Sequence, residues 1–287
     1  MLDTILDALI DSIKLLPFLF ITYLIMEYLE HKTGDKTKNI IEKSGKYGPI
    51  LGAILGVFPQ CGFSTAASSL YAGKVITMGT LIAIFLSTSD EMLPILISEA
   101  VPVSTILRIL AIKLVIGMIA GILIDLVSNL IDKSKNRNKE NPADEIGHLC
   151  EEEHCDCEHD GIFKSALKHT LSIFVFILII NVLVNIIIYF IGEDNLSNLV
   201  LNKRFIGPIL SGLLGLIPNC AGSVILTQLY LENVISFGSM IGGLLVGSGI
   251  GILVLFRLNK NMKENFKILG LLYVIGTICG IVIDLFF

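Results

Sequence analysis

Residues 48–64 read GPILGAILGVFPQCGFS, and residues 207–223 read GPILSGLLGLIPNCAGS. The two stretches stand 159 positions apart and share Gly-Pro-Ile-Leu, a Leu-Gly pair, and Pro, Cys and Ser at matching places. From Gly48 to Ser89 the same offset gives 17 identities in 42 ungapped positions, among them Leu70-Tyr71 on Leu229-Tyr230 and Ser89 on Ser248. Shared hydrophobicity supplies matches of Leu and Ile, but not of Pro, Cys, Gly and Tyr together. The register continues to Gly117/Gly276, Gly121/Gly280 and Asp125/Asp284, and a one-residue change aligns Ala8-Leu9 with Ala166-Leu167. Two homologous halves, 1–130 and 164–287, joined by a linker at 131–163, are therefore expected.

The composition assigns these halves to a membrane. Of 287 residues 53% are hydrophobic and only 16% charged, against about 25% charged in a soluble domain, and the mean hydropathy is +0.79. The net charge of −5 belongs to one place: residues 131–163 hold ten acids and four bases, a net of −6, leaving +1 elsewhere. Uncharged runs such as Phe205–Leu231 and Asn233–Phe256 are long enough to cross a bilayer, which takes about 20 residues of helix. Asp3, Asp7 and Asp11 precede any base, which is wrong for a secretory signal, so Leu9–Leu29 reads as a retained first helix. The expected class is an all-α polytopic membrane protein with the lipid bilayer as its surroundings. The bases lie in short loops where they set orientation, and nothing points to nucleic acid.

The basic residues also orient the halves. In the first half Lys32, Lys36, Lys38, Lys43 and Lys46 follow the opening helix, whereas Ser98–Thr105, before the closing helix, has no base. The second half reverses this, with Glu193 and Asp194 in its first loop, Lys203 and Arg204 only at that loop's far end, and Arg257, Lys260, Lys263 and Lys267 before its last helix. Positive loops favour the cytoplasm, so opposite bias in matching loops implies inverted repeats with an odd number of crossings each. The linker then lies in the cytoplasm.

Each half opens and closes with a long helix, and between them the pattern breaks. Gly48–Phe58 and Phe63–Ala72, like Gly207–Ile217 and Val224–Leu231, are too short to span alone and flank Pro59 and Pro218. Ser87-Thr88-Ser89-Asp90-Glu91 interrupts the next segment, where the second half has Val246-Gly247-Ser248-Gly249-Ile250. Unwound backbone is tolerated in lipid only where protein or a wet cavity surrounds it. About five segments per half, with broken or re-entrant helices at corresponding positions, therefore point to a binding site between repeats. Whether residues 47–98 and 206–256 cross once or three times is left open by the sequence, three giving ten spans in all.

The site candidates follow. The paired Pro-Gln/Asn-Cys breaks offer Gln60 and Asn219, the thiols of Cys61 and Cys220, and the hydroxyls of Ser64 and Ser223. Thiolates suit soft species, and amide and carbonyl oxygens suit harder cations; equally, a Pro-x-Cys run packs a kink with Cys as a small apolar residue. Ser89, Asp90 and Glu91 are the second group, as ligands or proton-exchange sites, or as an exposed loop capping the helix near Met92. Glu27, Arg108, Lys113, Asp125 and Asp284 lie nearer helix ends, where snorkelling or interfacial anchoring explains them. Asn181 and Asn185 read as interhelical hydrogen-bonding residues. In the linker, His148, Cys150, His154, Cys155, Cys157 and His159 are concentrated within twelve residues. Their spacing is not that of a folded zinc module, but an acidic tract of such ligands is suited to capturing divalent metal, and a merely solvated linker is the competing reading.

Signatures of ATP-driven pumping and of familiar hydrolases are absent from the sequence, so no enzyme and no tightly bound cofactor is expected. The opening helix from Asp7 to His31, with Gly56–Ser64, Ser87–Glu91 and Gly215–Ser223, resembles the bacterial ten-spanning heavy-metal exporter family, whose members carry the labels arsenic efflux protein and manganese transporter. The resemblance covers nearly the whole chain. It implies a multi-pass exporter of the inner (cytoplasmic) membrane with ten helices and duplicated halves, its cargo a metal or metalloid ion. Arsenite would favour the thiols, and Mn2+ would favour Asp90, Glu91, Gln60 and Asn219. The expected activity is secondary transport by alternating access. A transporter of organic anions, a thiol-disulfide oxidoreductase using Cys61 and Cys220, and a metal sensor remain as alternatives, and the oligomeric state is open. Deleting residues 140–160 is expected to lower the Mn2+ or Zn2+ bound per purified chain in equilibrium dialysis while leaving membrane insertion intact.

Overall fold

A computed structural model describes residues 13, 16, 17, 20, 21, 23, 24, 47–58, 61–89, 92–135, 162–191, 206–219 and 221–286. The described residues between 13 and 24 are helical and belong to the expected first helix. The first half continues with α1 (Tyr47–Gly56), α2 (Cys61–Ala72), α3 (Met78–Ser87), α4 (Met92–Ser98) and α5 (Val103–Lys135). The second contains α6 (Ile162–Ile191), α7 (Ile206–Gly215), α8 (Ala221–Leu231), α9 (Phe237–Val246), α10 (Gly251–Leu258) and α11 (Met262–Phe286). There is no strand among the described residues. Four stretches are long and apolar enough to cross a membrane: Met78–Ser98, Val103–Leu130, Phe237–Leu258 and Met262–Phe286. Apolar side chains cover their outer faces, Leu107, Val115, Ile119, Leu123 and Leu126 of α5 and Val274, Ile278 and Val282 of α11 all being exposed. The protein is an all-helical polytopic membrane protein.

The long uncharged run Phe205–Leu231 does not cross as one span. It folds as two short helices, α7 of 10 residues and α8 of 11, each about 15 Å long and thus roughly half of a hydrocarbon core of about 30 Å. Their direction follows from what each residue touches. Gly48, Gly52 and Gly56 of α1 lie against Thr80, Ile84 and Ser87 of α3 in that order, so α1 and α3 run parallel. α1 ends in a turn at Val57 and Phe58, and α2 returns to the level where α3 begins. α1–α2 is a re-entrant helical hairpin. In the second half Gly215 lies against Gly243 and Val246, and α8 returns with Leu226 beside Gly243. Residues 47–98 and 206–258 are therefore each a hairpin followed by one broken span.

Local chemistry fixes these turns. Just past the ends of α2 and α8 stand residues in the left-handed region, Lys74 (φ 56°) and Asn233 (φ 59°). Around them Val75 N–H donates to Leu70 O, and Val234 N–H to Leu229 O, both at 2.9 Å, the closing bond of a Schellman motif. The next helices begin on hydroxyl caps: Thr77 accepts from Thr80 N–H and Ser236 from Ser239 N–H, each at 3.1 Å.

Asp125 and Asp284 are corrections to the interfacial reading. Asp125 accepts from Gly79 N–H at 2.8 Å and from the Thr77 hydroxyl at 2.6 Å. Asp284 accepts from Gly238 N–H at 2.8 Å and from the Ser236 hydroxyl at 2.6 Å. Each carboxylate thus satisfies and charge-complements the first turn of a half-helix instead of anchoring at the lipid interface. The closing helices approach so tightly that main chains touch. A Cβ on Gly79 would lie 2.2 Å from Gly121 O, and one on Gly238 would lie 2.3 Å from Gly280 O. Accordingly the main packing partners are α3 with α5, and α9 with both α7 and α11. Asp125→Ala and Asp284→Ala are each expected to destabilise by about 1 kcal/mol, the usual worth of a cap, and to similar extents in thermal melts of the purified protein.

Candidate functional site

The hairpin tips and the breaks in the spanning helices meet at the same depth. The Ser89 hydroxyl donates to Val57 O, tying the first break to the first hairpin's tip. Ser89 is buried, as are Ser87, Thr88 and, at the matching break, Ser248. A Cβ on Gly247 would meet Gly215 O at 3.8 Å, so the second hairpin reaches its own break in the same manner.

The halves interlock here. α10 packs on α2 and α8 packs on α4, so each hairpin's returning helix covers the far part of the other half's broken span. A Cβ on Gly251 would lie 2.8 Å from the Ser64 carbonyl group, and the Ser68 hydroxyl donates to Gly251 O at 2.6 Å and to Ser64 O at 3.0 Å. Only glycine permits that approach. Ser64, Thr65, Ser68 and Ser69 are all fully buried, giving α2 a polar face directed into protein. Toward one end the Tyr71 hydroxyl donates to the Glu264 carboxylate across the same seam.

The expected site residues divide accordingly. Ser64 lies at the α2–α10 contact, Ser89 at the first break, buried Asn219 at the second hairpin's turn, and half-buried Ser223 in the first turn of α8. Cys61 begins α2; its side chain, with Gln60, Asp90, Glu91 and Cys220, lies outside the described residues, as do Glu27, the side chains of Asn181 and Asn185, and the linker ligands His148, Cys150, His154, Cys155, Cys157 and His159. Among the described residues no three His, Cys, Asp or Glu side chains come together to hold a metal.

One residue of the centre escaped the sequence reading. Lys113 does not snorkel: it is 1% exposed and donates to Thr88 O and, at 2.9 Å, to Leu244 O. Thr88 is the C-cap of α3, and Leu244 lies in the last turn of α9. Both carbonyls are helix-end acceptors left over where a helix stops. The partial negative charge at both helix C-termini favours the ammonium there. The signal was depth. Lys113 stands ten residues into α5, about 15 Å from its start, beyond the reach of a lysine to either surface. It also shares a face with buried Ile106, Ile109, Gly117 and Ala120. By contrast Arg257, near the end of α10, reaches the Ser172 hydroxyl at 2.8 Å and stacks on Phe176.

Half-helices ending against each other around buried hydroxyls and the buried Lys113 ammonium are an arrangement used by membrane transporters built on broken helices. Residues 1–206 and, in an overlapping second match, 162–287 fit the family described as "Putative, 10TM heavy-metal exporter", and the chain belongs to that family. The description makes it a metal transporter in general terms. No curated protein and no solved structure matches the chain. Gly251→Ala is expected to push α2 from α10 and to cost about 1–3 kcal/mol, read as a lower melting temperature together with reduced flux.

Proposed function

We propose that the protein is a secondary transporter that exports a heavy metal or metalloid, Mn2+ or an arsenite-like species, across the bacterial cytoplasmic membrane by alternating access. The observation that supports this reading most is the convergence of both hairpin tips on both helix breaks, with each hairpin covering the other half's broken span. Gln60, Cys61, Ser64, Ser89, Asp90, Glu91, Asn219, Cys220 and Ser223 supply the cargo site. Freed carbonyls and amide oxygens at the breaks serve a hard cation, and the two thiols serve a soft one. The halves are inverted repeats of one unit, which rock about this site. That the halves are copies of one unit is supported by cap bonds of equal length 159 positions apart, and that they are inverted by the opposite bias of their basic loops.

The orientation set by the basic loops places Lys74, Tyr71, Lys260 and Glu264 on the cytoplasmic side. The Tyr71–Glu264 bond then closes the seam on that side, and export requires it to open when cargo enters. The linker is cytoplasmic too, where its thiols and imidazoles raise the local metal concentration near the entrance. No bond is made or broken in the cargo, and the protein is not an enzyme.

Metal accumulation in cells lacking the protein, complemented by wild type or by Gln60→Ala, Cys61→Ala and Asp90→Asn, is the test. Wild type is expected to lower the cellular content of Mn2+ or arsenite, and the variants to lose most of that effect. Full resistance in every variant would overturn the site, and no effect of wild type on either cargo would overturn the function.

A further inference from the structure

Lys113 has no counterpart in the other half. The buried faces of α5 and α11 match along their length: Ile109 with Ile268, Gly117 with Gly276, Gly121 with Gly280, Asp125 with Asp284. At 113 the first half has lysine and at 272 the second has leucine, both fully buried. The ammonium is therefore a device of one half, placed where the C-terminal ends of α3 and α9 face each other, one from each half.

In transporters built from broken helices, such carbonyl ends are where a coupling cation is coordinated. We propose that the Lys113 ammonium stands in that position as a tethered cation, so that transport runs without an alkali cation. It is a positioning residue: it holds the Thr88 and Leu244 carbonyls together, and with them the break bearing Ser89. Na+ in a comparable seat arrives and leaves with each cycle, whereas the lysine charge stays with the protein and reorients with α5. The inference rests on reading the chain as a secondary transporter, but part of its test does not.

The test compares wild type and Lys113→Met, an uncharged side chain of similar length, in NaCl, KCl, methylammonium chloride and choline chloride at constant ionic strength. Wild-type melting temperature, and flux of Mn2+ or arsenite in proteoliposomes, are expected to be the same in all four. Lys113→Met is expected to lose about tenfold in flux in choline, a loss in the range of ordinary coupling between sites. It should recover flux, and gain melting temperature with concentration, in methylammonium or in one of the alkali cations, as linkage to an occupied seat requires. A side chain that merely packed the core would show no such cation rescue.

Na+-dependent stability or flux in the wild type overturns the proposal, and that arm decides the matter if Lys113→Met does not fold. A folded Lys113→Met that responds to no cation overturns it as well. If wild type carries neither cargo the transport reading fails, while the melting temperatures still decide what occupies the seat.

Discussion

The controlling constraint is that a helix may not end inside a bilayer without partners for its terminal peptide groups. Among the described residues, eight half-length helices end there, α1 to α4 and α7 to α10. Water cannot serve those groups in hydrocarbon, so the ends must serve one another or be served by side chains. The result is a layer of buried hydroxyls and helix ends across the middle of the molecule, with Ser87 back-bonded to Ala83 O, Thr88 to Ile84 O, and Ser89 to the hairpin tip. Away from that layer the packing is ordinary and apolar, Leu81, Ile82, Phe85, Met240, Ile241 and Leu245 being fully buried.

The same constraint explains the distribution of charge. Carboxylates sit at the outer beginnings of α3 and α9, where Asp125 and Asp284 meet free N–H groups, and an ammonium sits at their inner ends, where carbonyls are left over. Each charge is matched to the sign of the helix terminus it touches. Charged groups are expensive within a membrane, and each of these three is bonded to main-chain groups of a helix other than its own.

The all-helical architecture, the matched breaks and the family were legible because they depend on composition and on short strings of Pro, Gly, Cys and Ser. The reversal at each hairpin was not, since an eleven-residue apolar segment reads the same whether the chain continues or turns back. Only the parallel run of α1 beside α3 decides it. Asp125 and Asp284 were misread because their partners stand on a preceding helix, at Thr77 and Gly79 and at Ser236 and Gly238, which no local pattern connects. Lys113 was legible in principle, since counting residues from the start of α5 places it too deep to snorkel. Ser64 and Ser89 were found through their motifs, whereas Ser68, which bridges to Gly251, belongs to no motif and becomes significant only when α10 is laid on α2.

The glycine contacts between α3 and α5, and between α9 and α11, limit how this sequence can change. A collision with a side chain can be relieved by shrinking the neighbour, so most packed positions drift in pairs. At Gly79, Gly121, Gly238 and Gly280 a nearest obstacle is a carbonyl oxygen of the facing helix, and the main chain offers nothing to exchange. No second-site substitution opposite can make room, so these four positions are held individually. The helix pairs they join can vary in what they show to lipid, but not in how closely they lie.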